Sequence, residues 1–188
     1  IVSKLDANAF NTISITGGGT SNDDQLGSVI IANNNLKKCG ISCEYTGVTN
    51  ISDNVIDEAY YGIKSNFTKD LKVSGNQING SKAQGLYVST VYSGSAVING
   101  NQITGSNQDD VGSGTTNNNV YLSFGTNGIQ GAVISDNIFR DTEGRDYILT
   151  VGSSDNITIL ENNNLYLGTP TVAQYRNTNT AESGFLSN

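Results

Sequence analysis

Along most of this chain the apolar residues recur in a fixed frame: apolar, two spacers, Asn, one spacer, apolar. The frame falls at Ile31, Asn34 and Leu36, at Ile51, Asn54 and Ile56, and at Val73, Asn76 and Ile78. It returns at Ile98, Asn101 and Ile103, at Ile134, Asn137 and Phe139, and at Leu160, Asn163 and Leu165. The Asn residues lie 20, 22, 25, 36 and 26 positions apart. Repeats of that size, one strand unit each, mark a solenoid. Between the frames run stretches that alternate with a period of two, at 40–43, 62–65, 85–88, 119–122 and 147–151. Alternation sends Ile31, Ile51, Val73, Ile98, Ile134, Leu86, Val88, Val120 and Leu122 inward. Each repeat therefore predicts a strand, a polar turn, a second strand ending in the Asn frame, and a variable loop. Equivalent strands would pair in parallel, ~4.8 Å apart. Each frame Asn is expected at a tight bend, in the left-handed conformation, with its amide bonded to the next along the stack. That is a structural role, not a catalytic one.

These six frames and the strands between them resemble the right-handed parallel β-helix of the pectate-lyase-like superfamily, over residues 29–167. The resemblance implies an all-β fold: a single-stranded right-handed parallel β-helix, a solenoid of about six to seven rungs. Residues 1–28, with Ile13 and Ile15, would form a partial rung or cap. Residues 168–188 would complete a last partial rung and a tail. The superfamily includes pectate lyases, polygalacturonases, alginate epimerases and bacteriophage tailspike depolymerases. The Asn-, Gly-, Ser- and Thr-rich composition and the acidic balance resemble a tailspike most. That likeness implies a homotrimer on a virion tail or outside the cell, acting on bacterial capsular or O-antigen polysaccharide.

Composition narrows this further. The chain has 188 residues, of which 36% are hydrophobic and 14% charged. A solenoid tolerates so few apolar residues because each coil needs only a few inward side chains. The net charge of −7 argues against nucleic-acid binding. No apolar run approaches the ~20 residues of a membrane span, so membrane insertion is not expected. The chain starts at Ile1 and contains no Met, as a processed product or an excised piece would. Cys39 and Cys43 read best as two packed free thiols, and the redox compartment stays open. Four Asn-x-Ser/Thr sequons, at Asn50, Asn66, Asn79 and Asn156, are what chance gives in so Asn-rich a chain. Neither a cofactor nor a metal is expected.

If the repeats stack, their loops stack too, and the acidic residues collect there. Glu58 follows the second frame, Asp109 and Asp110 the fourth, and Glu143 and Asp146 the fifth, beside Arg145. Carboxylates one or two rungs apart would be ~5 or ~10 Å from each other, which brackets the separations of retaining and inverting glycosidases. Asp109 or Asp110 paired with Glu143 or Asp146, with Glu58 in reserve, would then hydrolyse a glycosidic bond. The stretch 107–110 is similar to the Asp-Asp motif of polygalacturonases, whose acids handle the attacking water. That family's Gly-His-Gly is missing, since the chain has no His, and its Arg-Ile-Lys is missing too. Arg140, Arg145 and Lys82 are the cations a lyase or epimerase could use. On the outward face, Tyr87 and Tyr121 would be neighbours, with Lys64 one rung before, making a sugar platform together with Arg145. Three readings follow: a polysaccharide-cleaving enzyme, a binding module without catalysis, and a structural shaft or adhesin coil.

Overall fold

The computed structural model describes residues 11–17, 27–91, 94–108, 118–124, 131–153, 158–177 and 185–187. Among them the secondary structure is all strand, in two parallel sheets, and no helix is long and apolar enough to cross a membrane.

The larger sheet is strongly curled, and its two arms meet in two long strands, β4 (Cys39–Ser52) and β6 (Ile63–Ser74). One arm runs from β1 (Asn11–Thr16) through the first halves of β4 and β6. It continues to β8 (Leu86–Val91), β11 (Asn118–Phe124), β14 (Tyr147–Ser153) and β17 (Ala173–Asn177). The other arm runs from β2 (Val29–Ala32) through the second halves of β4 and β6. It continues to β9 (Ser95–Asn99), β12 (Gly131–Ser135), β15 (Ile159–Asn162) and β18 (Phe185–Ser187). The second sheet stacks β3 (Asn35–Lys37), β5 (Val55–Asp57), β7 (Gln77–Asn79), β10 (Gln102–Thr104), β13 (Ile138–Arg140) and β16 (Leu165–Leu167). Every strand pairs in parallel with its counterparts in the adjoining repeats. In β4 and β6 the two expected short strands run on without a break, at 14 and 12 residues. The polar turn expected between them shrinks to one left-handed residue, Tyr45 or Phe67, whose rings stack 4.9 Å apart.

The expected inward residues form the core. Ile51, Val73, Ile98, Ile134, Leu86, Val88, Val120 and Leu122 are fully buried, and Ile31 is 6% exposed. Cys43 packs among them as a free thiol, and Cys39 is a half-buried one. Within 1–28, Ile13 and Ile15 of β1 align with Ile41 and Cys43 and pack on that core.

The frame Asn residues form a continuous ladder of amides. Asn34, Asn54, Asn76, Asn101, Asn137 and Asn164 follow one another. In the first five, the backbone N–H and the side-chain Nδ2 both donate to the Oδ1 of the next, at 2.8–3.1 Å. From Asn54 to Asn164, each Nδ2 also donates back to a core carbonyl of the preceding repeat, that of Ile31, Ile51, Val73, Ile98 or Ile134. Buried polar groups that would cost ~1–3 kcal/mol each if left unpaired are thereby satisfied.

Two expectations are corrected here. The left-handed residue is the one before each ladder Asn: Asn33, Asp53, Gly75, Gly100, Asp136 and Asn163, with φ between 53° and 66°. Gly and Asn/Asp hold these places because they adopt that conformation at least cost. The ladder Asn is thereby freed to turn its amide along the stack. The sixth frame is also shifted by one residue. Glu161, not Leu160, aligns with Ile134, and Asn164, not Asn163, continues the ladder. Leu160 and Leu165 are consequently 38% and 48% exposed, while Glu161 is 8% exposed.

Candidate functional site

The outer face of the first arm carries one aligned row. Ser14, Ser42, Lys64, Tyr87, Tyr121 and Thr150 are register partners across β1, β4, β6, β8, β11 and β14. Ser14, Ser42, Lys64, Tyr87 and Tyr121 face away from the core, their neighbours Ile41, Ile63, Leu86 and Val120 being buried, whereas Thr150 is itself fully buried. Lys64, Tyr87 and Tyr121, which alternation places together, are thus together. A parallel row two residues on runs from Thr16 through Glu44 to Asn66.

The loop between β5 and β6 adds a ring that the alternation did not predict. Tyr61 lies 5.7 Å from Tyr87 at 59°, and Tyr87 stacks on Tyr121 at 5.2 Å and 22°. Tyr60 meets Tyr61 edge-on at 5.2 Å. Burial, reinforced by Tyr60 and Tyr87, pushes the Tyr61 hydroxyl above its ordinary pKa, so it is a neutral donor and acceptor. The Tyr87 and Tyr121 faces are turned toward each other, and Tyr61 closes the stack on the side of β1 and β4.

There a hollow of about 280 Å³ opens, lined by Thr12, Ser14, Ile41, Ser42, Tyr61 and Lys64. The Lys64 ammonium lies 3.2 Å from Glu44 Oε1 and 5.9 Å from the Tyr61 ring centroid. Asn66 Nδ2 donates to the same Glu44 oxygen at 3.1 Å. Sequence reasoning missed Thr12, Ser14, Ser42, Glu44 and Tyr61. Extending the alternation of Lys64 back to β4 would have found Ser42 and Glu44. No pattern in the sequence points to Tyr61, whose place depends on the path of one loop.

The candidate carboxylates are distributed differently. Asp109 and Asp110 lie outside the described residues. Glu143, Arg145 and Asp146 share one turn, organised by the buried Asp141. That carboxylate accepts from Asn119 Nδ2 at 3.1 Å, Glu143 N–H at 3.0 Å and Arg145 N–H at 3.2 Å. Glu143 is exposed and accepts from Thr142 Oγ1 at 2.9 Å, while Asp146 accepts from Thr171 Oγ1 at 2.7 Å. Arg145 is half-buried. Glu58 holds a left-handed corner (φ 56°) and lies 3.7 Å from Lys37. It follows β5, three strands from β13, about 14 Å along the stack at ~4.8 Å per strand.

No family model, no curated protein and no solved structure matches this chain.

Proposed function

We propose that the two sheets are the walls of a single-stranded right-handed parallel β-helix of the pectate-lyase-like kind, and that its first face binds a bacterial-surface polysaccharide. The observation that carries this is the tyrosine stack running into a hydroxyl-lined hollow. A polysaccharide offers apolar ring faces edged by hydroxyls. The row answers both, with ring edges and phenol tips along Tyr87 and Tyr121 and the Tyr61 ring at its end. Rings locked against one another lose little freedom on binding, which favours a stiff linear ligand. The tailspike likeness adds the expectation of a homotrimer on a virion tail or outside the cell.

The experiment is titration with capsular and O-antigen oligosaccharides. Wild type should bind, and the Tyr87→Ala, Tyr121→Ala double variant should bind at least ~10-fold more weakly. Equal affinity in the two proteins, or none in either, would remove this face as the site.

Cleavage is a second reading, favoured by the Asp141 turn, which holds Glu143 in solvent next to Asp146. It pairs Asp109 or Asp110 with Glu143 or Asp146 as acid and base. Asp109→Asn, Asp110→Asn and Glu143→Gln should each slow glycan depolymerisation by ~10³-fold or more with binding kept. Full turnover in all three returns these carboxylates to a structural role.

A further inference from the structure

The hollow at the end of the tyrosine stack differs from the rest of that face. Further along, the rings cover one another and offer the ligand mainly edges and hydroxyls. At the hollow, Tyr61 ends the stack, and the space in front of it is walled by Thr12, Ser14 and Ser42. At about 280 Å³ it is near the lower limit of ligand pockets, ~300 Å³, so it suits one ring-sized unit and not a chain segment.

Its charge is balanced internally. Lys64 is the charged lining residue, and Glu44 stands 3.2 Å from its ammonium. The two side chains are 30% and 31% exposed, and Asn66 Nδ2 donates to the same carboxylate oxygen that faces Lys64. An anionic group reaching Lys64 would have to displace or face Glu44, on a chain of net charge −7. A cationic group would face Lys64. Three aliphatic hydroxyls and the Tyr61 phenol, each able to donate or accept, instead match a ligand whose polar groups do the same.

We infer that this hollow is a subsite for a single uncharged sugar unit, stacked on Tyr61 and hydrogen-bonded by Thr12, Ser14, Ser42 and the Lys64–Glu44 pair. The inference rests on the glycan-binding reading above and names the class of sugar that reading leaves open.

The test is calorimetric titration with two oligosaccharide panels, neutral O-antigen fragments and uronate-bearing capsular fragments, at about 0.05 and 0.5 M salt. Neutral fragments should bind wild type with affinity constant within ~2-fold between the two salts, because no net charge is exchanged. Tyr61→Ala and Ser42→Phe should each weaken binding ~10-fold, the first by removing the ring and the second by filling the hollow. Ser42→Phe leaves the tyrosine stack in place, so it decides the matter even where Tyr61→Ala disturbs the loop. Glu44→Gln should shift preference toward uronate fragments, with a new salt dependence. If wild type prefers uronate fragments, loses them with salt and loses them again in Lys64→Met, glycan binding stands and the uncharged subsite falls. If Ser42→Phe binds neutral fragments as wild type does, the sugar sits elsewhere and the inference also falls. Binding of neither panel overturns both the subsite and the glycan reading.

Discussion

The middle of the amide ladder and its last described position, Asn164, use the same side chain and differ in their side-chain partners. At Asn76 the Oδ1 receives two N–H groups of Asn54, while the Nδ2 feeds Asn101 and the Ile51 carbonyl. At Asn164 the Nδ2 still feeds the Ile134 carbonyl, but its other partner is Glu161 Oε1 at 3.3 Å. The Tyr166 hydroxyl donates to that same carboxyl oxygen. Glu161 occupies the place of Ile134, and Tyr166 that of Phe139, against which its ring packs at 5.8 Å. A carboxylate thus does at the last position what an amide oxygen does elsewhere. The lesson is that a ladder amide can also take a carboxylate of its own repeat as partner, at the cost of placing a titratable carboxyl in the core.

The sharpest way to break the regular part is Asn76→Ala. It leaves a buried Asn54 N–H and the Ile51 carbonyl short of partners, so a loss of about 4 kcal/mol is expected in denaturant unfolding. A loss below about 1 kcal/mol would mean the ladder is incidental. Next in size is a matched pair that tests the one-residue shift. Ile134→Ala should cost about 3 kcal/mol. Leu160→Ala, equivalent by sequence but exposed, should cost under about 1 kcal/mol. Equal costs would restore the unshifted register.

The last position responds to pH. Burial raises the Glu161 carboxyl above its ordinary range, with the Asn164 bond opposing. The native state therefore holds this proton more tightly than the unfolded chain does. Its contribution is complete below the unfolded value of ~4.3 and is lost as pH rises through the higher folded value. Stability should fall across that window in wild type, and Glu161→Gln should flatten the fall. Glu161→Leu should cost about 1 kcal/mol at acid pH, because it takes the acceptor from the Asn164 Nδ2 and the Tyr166 hydroxyl. A steeper loss toward acid pH in wild type than in Glu161→Gln would reverse the assignment. The smallest effect concerns the thiols. Burial pushes Cys43 up to about 11, and it also raises the less buried Cys39. Alkylation at pH 8 should label Cys39 first and Cys43 only on unfolding.

Much of the fold was legible because its signals are local. A period of two sorts Leu86 and Val88 from Tyr87, and the Asn frame repeats with little change. The shift in the sixth frame was not legible because Asn162, Asn163 and Asn164 fit either register. What separates the two is tertiary: Ile159 is buried, Tyr166 packs on Phe139, and Glu161 finds hydroxyl and amide partners. The candidate site was half legible for a similar reason. Lys64, Tyr87 and Tyr121 follow from alternation, whereas Tyr61 reaches the row through a loop that has no period. Acidic loops could be located along the chain, but which of their carboxylates meet depends on Asp109 and Asp110, the expected partners of both Glu143 and Glu58. Asp109 and Asp110 belong to the longest interval, outside the described residues.

The ladder also bears on how such a chain can be rewritten. Its links join residues 20, 22, 25, 36 and 27 positions apart with the same bond lengths. Register is counted by amide contacts, not by residues. Closing a longer loop costs only ~0.6 kcal/mol per doubling of its length. The repeats on either side of the 36-residue interval therefore keep the alignment seen across the 20-residue one. The ladder is thus a spine whose spacing does not depend on how much chain lies between its links.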